Sequence, residues 1–182
     1  MENKTYHMTI AGCERDLPIC PVSDSMDIAG FVMFSDVEIT EATAKALMEK
    51  CPEHDVILTA ETKGIPLAYE MARIGCRNYV VARKGIKAYM RNPVEVQVKS
   101  ITTANVQKLI LSEADRKVLE GRRILIVDDV ISTGESLEAL ELLLAKLGME
   151  KQIVGKACVL AEGSAQRRSD IIFLEPLPLF FK

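Results

Sequence analysis

The chain has 182 residues, of which 48% are hydrophobic and 27% charged. This is the length of one domain and the composition of a globular protein with its own core, which excludes a disordered chain. The formal charge of −3 gives no overall attraction to nucleic acid or to an anionic membrane surface, so we expect no partner of either kind.

The cysteines and the N-terminal residues bear on the cellular compartment. The cysteine count of five is odd and no two stand in a CxxC pair, so neither a disulfide framework nor a structural zinc site is expected. Residues 1–10 are polar and lack the apolar run of a signal peptide. No window holds the roughly 18 apolar residues of a membrane span. We therefore expect a cytoplasmic protein.

The first half of the chain predicts an irregular segment followed by a strand–helix–strand unit. Residues 1–39 contain prolines with scattered Asp and Ser, and we predict an irregular region whose apolar piece 28–34 forms a strand or a lid. Apolar residues then recur at helical spacing from Thr40 up to the proline at position 52. Beyond it, two apolar runs predict buried strands at 56–60 and 79–82, with a helix at 64–74 between them, which indicates a parallel crossover.

The second half predicts a hairpin and a further set of alternating strands and helices. Residues 83–108 form a hairpin or a long flexible excursion, because valines alternate with polar residues over 94–99. The following elements are a short helix at 115–120, strands at 124–127, 153–160 and 171–174, and a helix through 137–147 that Gly148 ends. This order predicts an α/β domain over residues 1–182, with an open, mostly parallel sheet flanked by helices.

The segment 124–136, with the sequence ILIVDDVISTGES, carries the most informative pattern. An apolar strand ends in the carboxylates Asp128 and Asp129, and ligands of open α/β sheets bind at the carboxyl ends of strands. A hydroxyl-rich loop then opens a helix, whose first N–H groups bind phosphate, and Gly134 permits a tight turn around that anion. Acceptors for sugar hydroxyls or a metal thus precede donors for a phosphate. This order predicts a sugar-phosphate site. The sequence lacks the G-x-x-x-x-G-K-[ST] pattern of a Walker loop, so a nucleotide site of that kind is not predicted.

This segment resembles the signature of type I phosphoribosyltransferases, which bind 5-phosphoribosyl 1-pyrophosphate. The resemblance implies that Asp128 and Asp129 hold the ribose hydroxyls, directly or through a Mg²⁺ cofactor that these two carboxylates would ligate. Many members have glycine where Glu135 stands here, so its side chain must point away from the phosphate. The residues implied to bind the 5′-phosphate are Val130, Ile131, Ser132, Thr133, Gly134, Glu135 and Ser136.

Two further segments agree with this resemblance. The turn after the first strand of the crossover resembles the pyrophosphate loop, and we expect a non-proline cis peptide within residues 60–63. The basic run after the second strand resembles that of the purine enzymes, because cations stabilise the charge of departing pyrophosphate. Residues 87–107 would be the mobile catalytic loop, with its tip at 100–103. The side chains implied in these roles are Ala60, Glu61, Thr62, Lys63 and Gly64, followed by Arg83, Lys84 and Lys87.

The resemblance covers residues 40–181 and is closest to the adenine and xanthine branches. Base binding is expected from an N-terminal hood, residues 1–39, where Phe31 or Phe34 would stack on the purine, and from Glu162. Gly163 stands where xanthine enzymes carry a lysine that faces a 6-oxo group, and this favours adenine.

The resemblance therefore predicts a magnesium-dependent, homodimeric purine phosphoribosyltransferase that converts adenine and 5-phosphoribosyl 1-pyrophosphate to AMP and pyrophosphate. A xanthine or hypoxanthine enzyme is one alternative. Another is a non-catalytic regulator of purine genes that binds the same donor, although residues 1–39 are short and acidic for a DNA-binding module. An orotate-type enzyme ranks lower because of the basic run at 83–87.

Overall fold

The computed structural model describes residues 4–99 and 106–182, so the predicted loop tip at 100–103 lies outside the described residues. The helices are α1 (Val37–Lys50), α2 (Ile65–Ile74), α3 (Glu113–Leu119) and α4 (Glu135–Lys146). The strands are β1 (Thr5–Ile10), β2 (Cys13–Ser23), β3 (Met26–Ala29), β4 (Val56–Ala60), β5 (Tyr79–Ala82), β6 (Val94–Lys99), β7 (Val106–Leu111), β8 (Ile124–Ile131), β9 (Ile153–Glu162), β10 (Ile172–Leu177) and β11 (Leu179–Phe181).

A five-stranded sheet in the order β10-β9-β8-β4-β5 forms the centre of the fold, and all of its neighbouring strands are parallel. The inner strand β4, between β8 and β5, is buried along its whole length. Apolar clusters lie on both faces of the sheet, one including residues of α4 and the other residues of α1 and α2. The predicted fold class, an open parallel sheet flanked by helices, is confirmed.

Strand β8 is longer than the sequence pattern predicts. It was expected to end at Val127, but it continues to Ile131 because β9 runs alongside it and pairs Ile131 with Ala161. Asp128 and Asp129 therefore lie within the last part of the strand and are held by its ladder, not in a loop that follows it.

The N-terminal region is a sheet, so the expectation of an irregular segment at residues 1–39 is wrong. Strands β1, β2 and β3 pair antiparallel, and the C-terminal strand β11 adds to β3. The prolines that suggested a loop lie within the pairing of β2, where Pro18 is opposite Thr5 and Pro21 is opposite Asp27. The carbonyl of Pro18 accepts from the Gly30 N–H at 2.8 Å, and the register shifts after Pro21.

The predicted hairpin is confirmed for the described part of residues 83–108. Strands β6 and β7 pair antiparallel, and the last three residues of β7, 109–111, are buried in the core. Arg83 and Ile110 exchange both backbone hydrogen bonds at 2.9 Å, which ties the basic run to the base of the hairpin.

Helix starts follow local capping chemistry. Helix α1 begins three residues before the predicted Thr40, because the Asp36 carboxylate accepts from the Ile39 N–H at 3.1 Å. Asp36 is in turn held by Arg15 of β2 at 2.7 Å, a contact between distant segments that periodicity does not reveal. Across residues 4–99 and 106–182, none of the helices combines the length and hydropathy of a membrane span.

Candidate active site

Two carboxylates of β8 and the turn between β4 and α2 form the centre of the site. Asp128 and Asp129 are 8% and 3% exposed. The Thr62 hydroxyl donates to Asp128 Oδ1 at 2.8 Å, across 66 residues of sequence. Because β4 and β8 are parallel neighbours, the turn after β4 meets the last residues of β8 at one edge of the sheet.

Lys63 and Asp129 form the second contact between this turn and β8. The Lys63 ammonium lies 3.2 Å from Asp129 Oδ2 and donates to the Phe31 carbonyl at 2.9 Å. Asp129 Oδ2 is buried. Among the described residues it accepts no hydrogen bond of good geometry, because the contact with Lys63 is an ion pair only. This oxygen therefore keeps the capacity to accept a hydrogen bond or to bind a cation.

Close approach of the turn to β8 requires glycine at position 64. A β-carbon on Gly64 would lie 2.8 Å from Asp128 Oδ1 and 3.0 Å from the Asp129 backbone nitrogen. Both distances are shorter than ordinary carbon contacts, so a side chain here would push the turn away from the carboxylates.

Burial raises the pKa of two carboxyl groups at the site, those of Asp128 and Glu162. Loss of solvation, followed by the neighbouring charge of Asp129, raises the pKa of Asp128 to about 7. Burial also raises the pKa of Glu162 at the end of β9, against the opposing effect of Lys63. The two carboxyl groups thus titrate above their ordinary range at the same sheet edge, as is common at functional sites.

The loop between β8 and α4 encloses a cavity of about 150 Å³ beside Asp128. Gly134 has φ +85°, a left-handed conformation that glycine adopts without strain, and it is the N-cap of α4. The N-terminus of this 12-residue helix has no side-chain cap from Gly134, and it presents a positive dipole end to an anion. The predicted phosphate residues Val130 to Ser136 all line this cavity, together with Leu137.

Glu61 holds the predicted basic run, residues 83–87, against the turn between β4 and α2. Arg83 Nε lies 2.9 Å from Glu61 Oε1, and the Lys84 N–H donates to Glu61 Oε2 at 2.8 Å. These contacts, with the charge of Lys87, lower the pKa of Glu61. The Glu61 carboxylate is therefore engaged by the basic run, and it brings these cations to the turn that starts α2.

The two candidate stacking rings are not placed together with the carboxylates. Phe31 is 3% exposed and its ring packs in the core, so only its carbonyl reaches the site, through Lys63. Phe34 is 54% exposed and lines a separate groove with Tyr69. The expected cis peptide is also absent, because every peptide bond of the described residues is trans.

One site-adjacent residue was not found from the sequence. Arg168 lies against the phosphate loop, where a β-carbon on Gly134 would be 2.9 Å from its Nη1. It follows a 3₁₀ turn, Gly163–Arg167, and belongs to no motif, so no sequence pattern marks it.

A magnesium ion would find two carboxylates here. Within the described chain no group of three or more His, Cys, Asp or Glu side chains is arranged to hold a metal. Mg²⁺ commonly uses one or two carboxylates and takes its other ligands from substrate and water. Asp128 and Asp129 fit that donor set, since Oδ2 of Asp129 retains acceptor capacity.

The paired carboxylates and the adjoining cavity lie at the carboxyl ends of parallel strands, which is where open α/β sheets bind their ligands. Residues 34–176 match the family model described as phosphoribosyl transferase domain. The chain belongs to this family, as the segment 124–136 predicted.

Curated relatives include both regulators and enzymes. The chain is 28% identical, over 80% of its length, to a probable purine biosynthesis transcriptional regulator of Streptococcus pneumoniae, and spans 54% of that protein. It is 31% identical to a hypoxanthine/guanine phosphoribosyltransferase of Methanococcus voltae, with 82% of this chain and 73% of the relative aligned. An adenine phosphoribosyltransferase of Rhodococcus jostii is 32% identical over 70% of this chain and 69% of its own. The chain thus spans about half the length of the regulators it matches.

Solved structures support the fold. The adenine phosphoribosyltransferase of Thermoanaerobacter pseudethanolicus superimposes with a TM-score of 0.64 over 95% of both chains at 19% identity. At that identity the comparison shows that the type I phosphoribosyltransferase fold is shared.

Proposed function

We propose that the protein is a purine phosphoribosyltransferase that uses 5-phosphoribosyl 1-pyrophosphate as donor. The observation that carries this proposal is the buried Asp128–Asp129 pair, flanked by an anion cavity and by a turn to which cations are bound. The three parts match the three chemical parts of the donor, which are ribose hydroxyls, a 5′-phosphate and a pyrophosphate.

The residues have distinct roles in the proposed reaction. The carboxylates of Asp128 and Asp129 accept from the ribose hydroxyls and orient the sugar, and the loop 130–136 holds the 5′-phosphate. A purine nitrogen forms a bond to ribose C1 while the bond from C1 to the pyrophosphate oxygen breaks. Arg83 and Lys87 stabilise the charge that accumulates on the leaving group, together with the backbone of 60–64.

We propose Mg²⁺ as the cofactor, held by Asp128 and Asp129. When bound, the ion supplies positive charge to the anionic donor and helps to orient it. We also propose a homodimer in the cytoplasm, which sedimentation of the purified protein and fractionation of cells would test.

Adenine is the proposed base. Gly163, the first residue after β9, carries no cation at the position where the xanthine enzymes have a lysine that faces a 6-oxo group. Glu162 beside it is buried, and its carboxyl oxygens can accept a hydrogen bond. A hypoxanthine or xanthine enzyme is the alternative, supported by the similarity to the enzyme of Methanococcus voltae.

A non-catalytic regulator that binds the same donor is the second candidate. It is supported by the similarity to the Streptococcus pneumoniae regulator. Both candidates need the ribose and phosphate parts of the site, and only the enzyme needs a base in line with C1.

A substrate panel tests the proposal. The purified protein is incubated with donor, Mg²⁺ and each of adenine, hypoxanthine, guanine, xanthine and orotate, and nucleotide is separated and quantified. We expect AMP from adenine and the greatest kcat/KM for that base. Donor binding by calorimetry without turnover on any base would favour the regulator, and turnover fastest on a 6-oxopurine would contradict the adenine assignment.

A further inference from the structure

We propose that Arg168 is an electrostatic component of the 5′-phosphate site, acting from behind the loop that binds the phosphate. This inference rests on the proposed function, because it assumes that the cavity beside Asp128 receives a phosphate monoester. It assigns a role to a residue outside the family signature segment 124–136.

The cavity itself carries no basic side chain. Its described lining consists of residues 128 and 130–137, which include the acidic residues Asp128 and Glu135 and no lysine or arginine. A phosphate monoester dianion that enters this cavity gains hydrogen bonds from the loop and helix, and it also approaches the carboxyl group of Asp128. A cation close to this loop would therefore make the local potential more favourable for the dianion.

Arg168 is the cation that the described structure places against this loop. The position of a β-carbon on Gly134 would be 2.9 Å from Arg168 Nη1, and no other heavy atom outside its immediate neighbours would lie within 4 Å of it. The guanidinium thus occupies the side of Gly134 on which a side chain would project. Gly134 consequently serves two needs, a left-handed turn and the space for this guanidinium.

The orientation of the guanidinium is held by a second carboxylate. Arg168 donates from Nε to Asp170 Oδ1 at 3.0 Å and from Nη2 to Asp170 Oδ2 at 2.7 Å, a bidentate pair. These two bonds occupy one edge of the guanidinium and direct Nη1 toward Gly134. Asp170 therefore lies on the far side of the guanidinium from the loop.

The pair is anchored to the helix that the loop opens. Lys156 on β9 lies 2.7 Å from Asp170 Oδ2 and 2.6 Å from Glu141 Oε1 on α4. The Lys156 side chain is 16% exposed, so solvent screens these contacts less than an exposed pair. The network joins Arg168 to α4 through Asp170 and Lys156, so the guanidinium is anchored to the helix that the loop opens.

Binding of ribose 5-phosphate tests the inference without requiring catalysis. Calorimetry measures its Kd for the wild type and for Arg168→Gln, Arg168→Lys and the control Arg167→Gln, across a series of salt concentrations. Arg167 is an exposed neighbour, so the control removes the same charge one residue away. We expect Arg168→Gln to raise Kd about tenfold at low salt, as for one partly screened charge pair, and to flatten the salt dependence. Arg168→Lys should recover part of the affinity, and Arg167→Gln should leave Kd within about twofold of the wild type.

The outcomes separate the inference from the proposed function. Equal Kd values for Arg168→Gln and Arg167→Gln would overturn the role of Arg168. Equal losses in Arg168→Gln and Arg168→Lys, with an unchanged salt dependence, would indicate a structural role only and would also overturn it. If the wild type itself does not bind ribose 5-phosphate, the proposed function fails first, and this inference fails with it.

Discussion

Substitution of Gly64 by alanine directly tests the approach of the turn to the carboxylates. The added methyl group would lie 2.8 Å from Asp128 Oδ1, 3.0 Å from the Asp129 nitrogen and 3.1 Å from the Asp128 α-carbon. Two of these three atoms belong to the backbone of β8, which is paired on both sides within the central sheet. The turn must therefore move by some tenths of an ångström, and the 2.8 Å bond from Thr62 to Asp128 lengthens.

The expected change in the free energy of unfolding combines a cost of overpacking with a gain from lower unfolded-state entropy. Overpacking of a buried site costs typically about 1–3 kcal/mol. Gly64 has φ −74° and ψ −6°, a conformation that alanine also adopts, so the loss of unfolded-state entropy returns about 0.4–1 kcal/mol. We expect a net decrease of about 1–2 kcal/mol in the free energy of unfolding, and a larger effect on ligand binding because the displaced atoms belong to the residues that we propose hold the ribose.

Urea denaturation and calorimetry with ribose 5-phosphate measure the two effects. Gly85→Ala is the control for stability, because no heavy atom outside its immediate neighbours lies within 4 Å of the added methyl group and φ is not positive there. It should change the free energy of unfolding by less than about 1 kcal/mol. If Gly64→Ala unfolds at the same urea concentration as this control and binds ribose 5-phosphate like the wild type, the close-approach argument is refuted.

Three further predictions concern the charged groups. Because the pKa of Asp128 is raised to about 7 in the folded state, its contribution to stability is present in full below the unfolded-state value near 4 and is lost as pH rises through 7. Asp128→Asn should therefore flatten the decline of the free energy of unfolding between pH 5 and 8, measured by urea denaturation. Glu61→Gln should weaken the hold on Arg83 and raise the KM for the donor severalfold, whereas Glu53→Gln, which alters an exposed arginine pair, should leave KM unchanged. Asp129→Asn should lower kcat at least 100-fold, because the substitution replaces or reorients Oδ2, the buried oxygen that can accept a further hydrogen bond.

Each of these has a result that would contradict it. An Asp128→Asn protein whose stability falls with pH as steeply as the wild type would show that another group titrates. Equal KM values for the Glu61 and Glu53 variants would show that the Arg83 contact does not contribute to donor binding. Full activity of Asp129→Asn would remove this residue from the proposed site.

Prediction from sequence succeeded where the signal is local and continuous. The strand at 56–60 and the hairpin valines follow from apolar runs and alternation, and the structure confirms both. The segment 124–136 holds its acidic residues, its turn glycine and its helix start within 13 consecutive residues, so family membership was evident from this segment.

Prediction failed where pairing joins distant segments. The N-terminal sheet is completed by β11 from the other end of the chain, and nothing in residues 1–39 alone reveals that partner. The assignment of Phe31 to base stacking met the same difficulty, because an aromatic residue in an apolar run is compatible with both a core and a binding surface, and only the packing places its ring in the core.

The sequence by itself determined family membership and predicted the class of ligand chemistry, since two acids followed by a hydroxyl-rich helix start place acceptors beside an anion site. Tertiary structure alone decided how the parts meet: Thr62 on Asp128, Glu61 on Arg83, and Arg168 behind Gly134. These contacts depend on which strands are neighbours and how closely their connecting turns approach. That is set by packing of the whole core, and no local sequence pattern contains it.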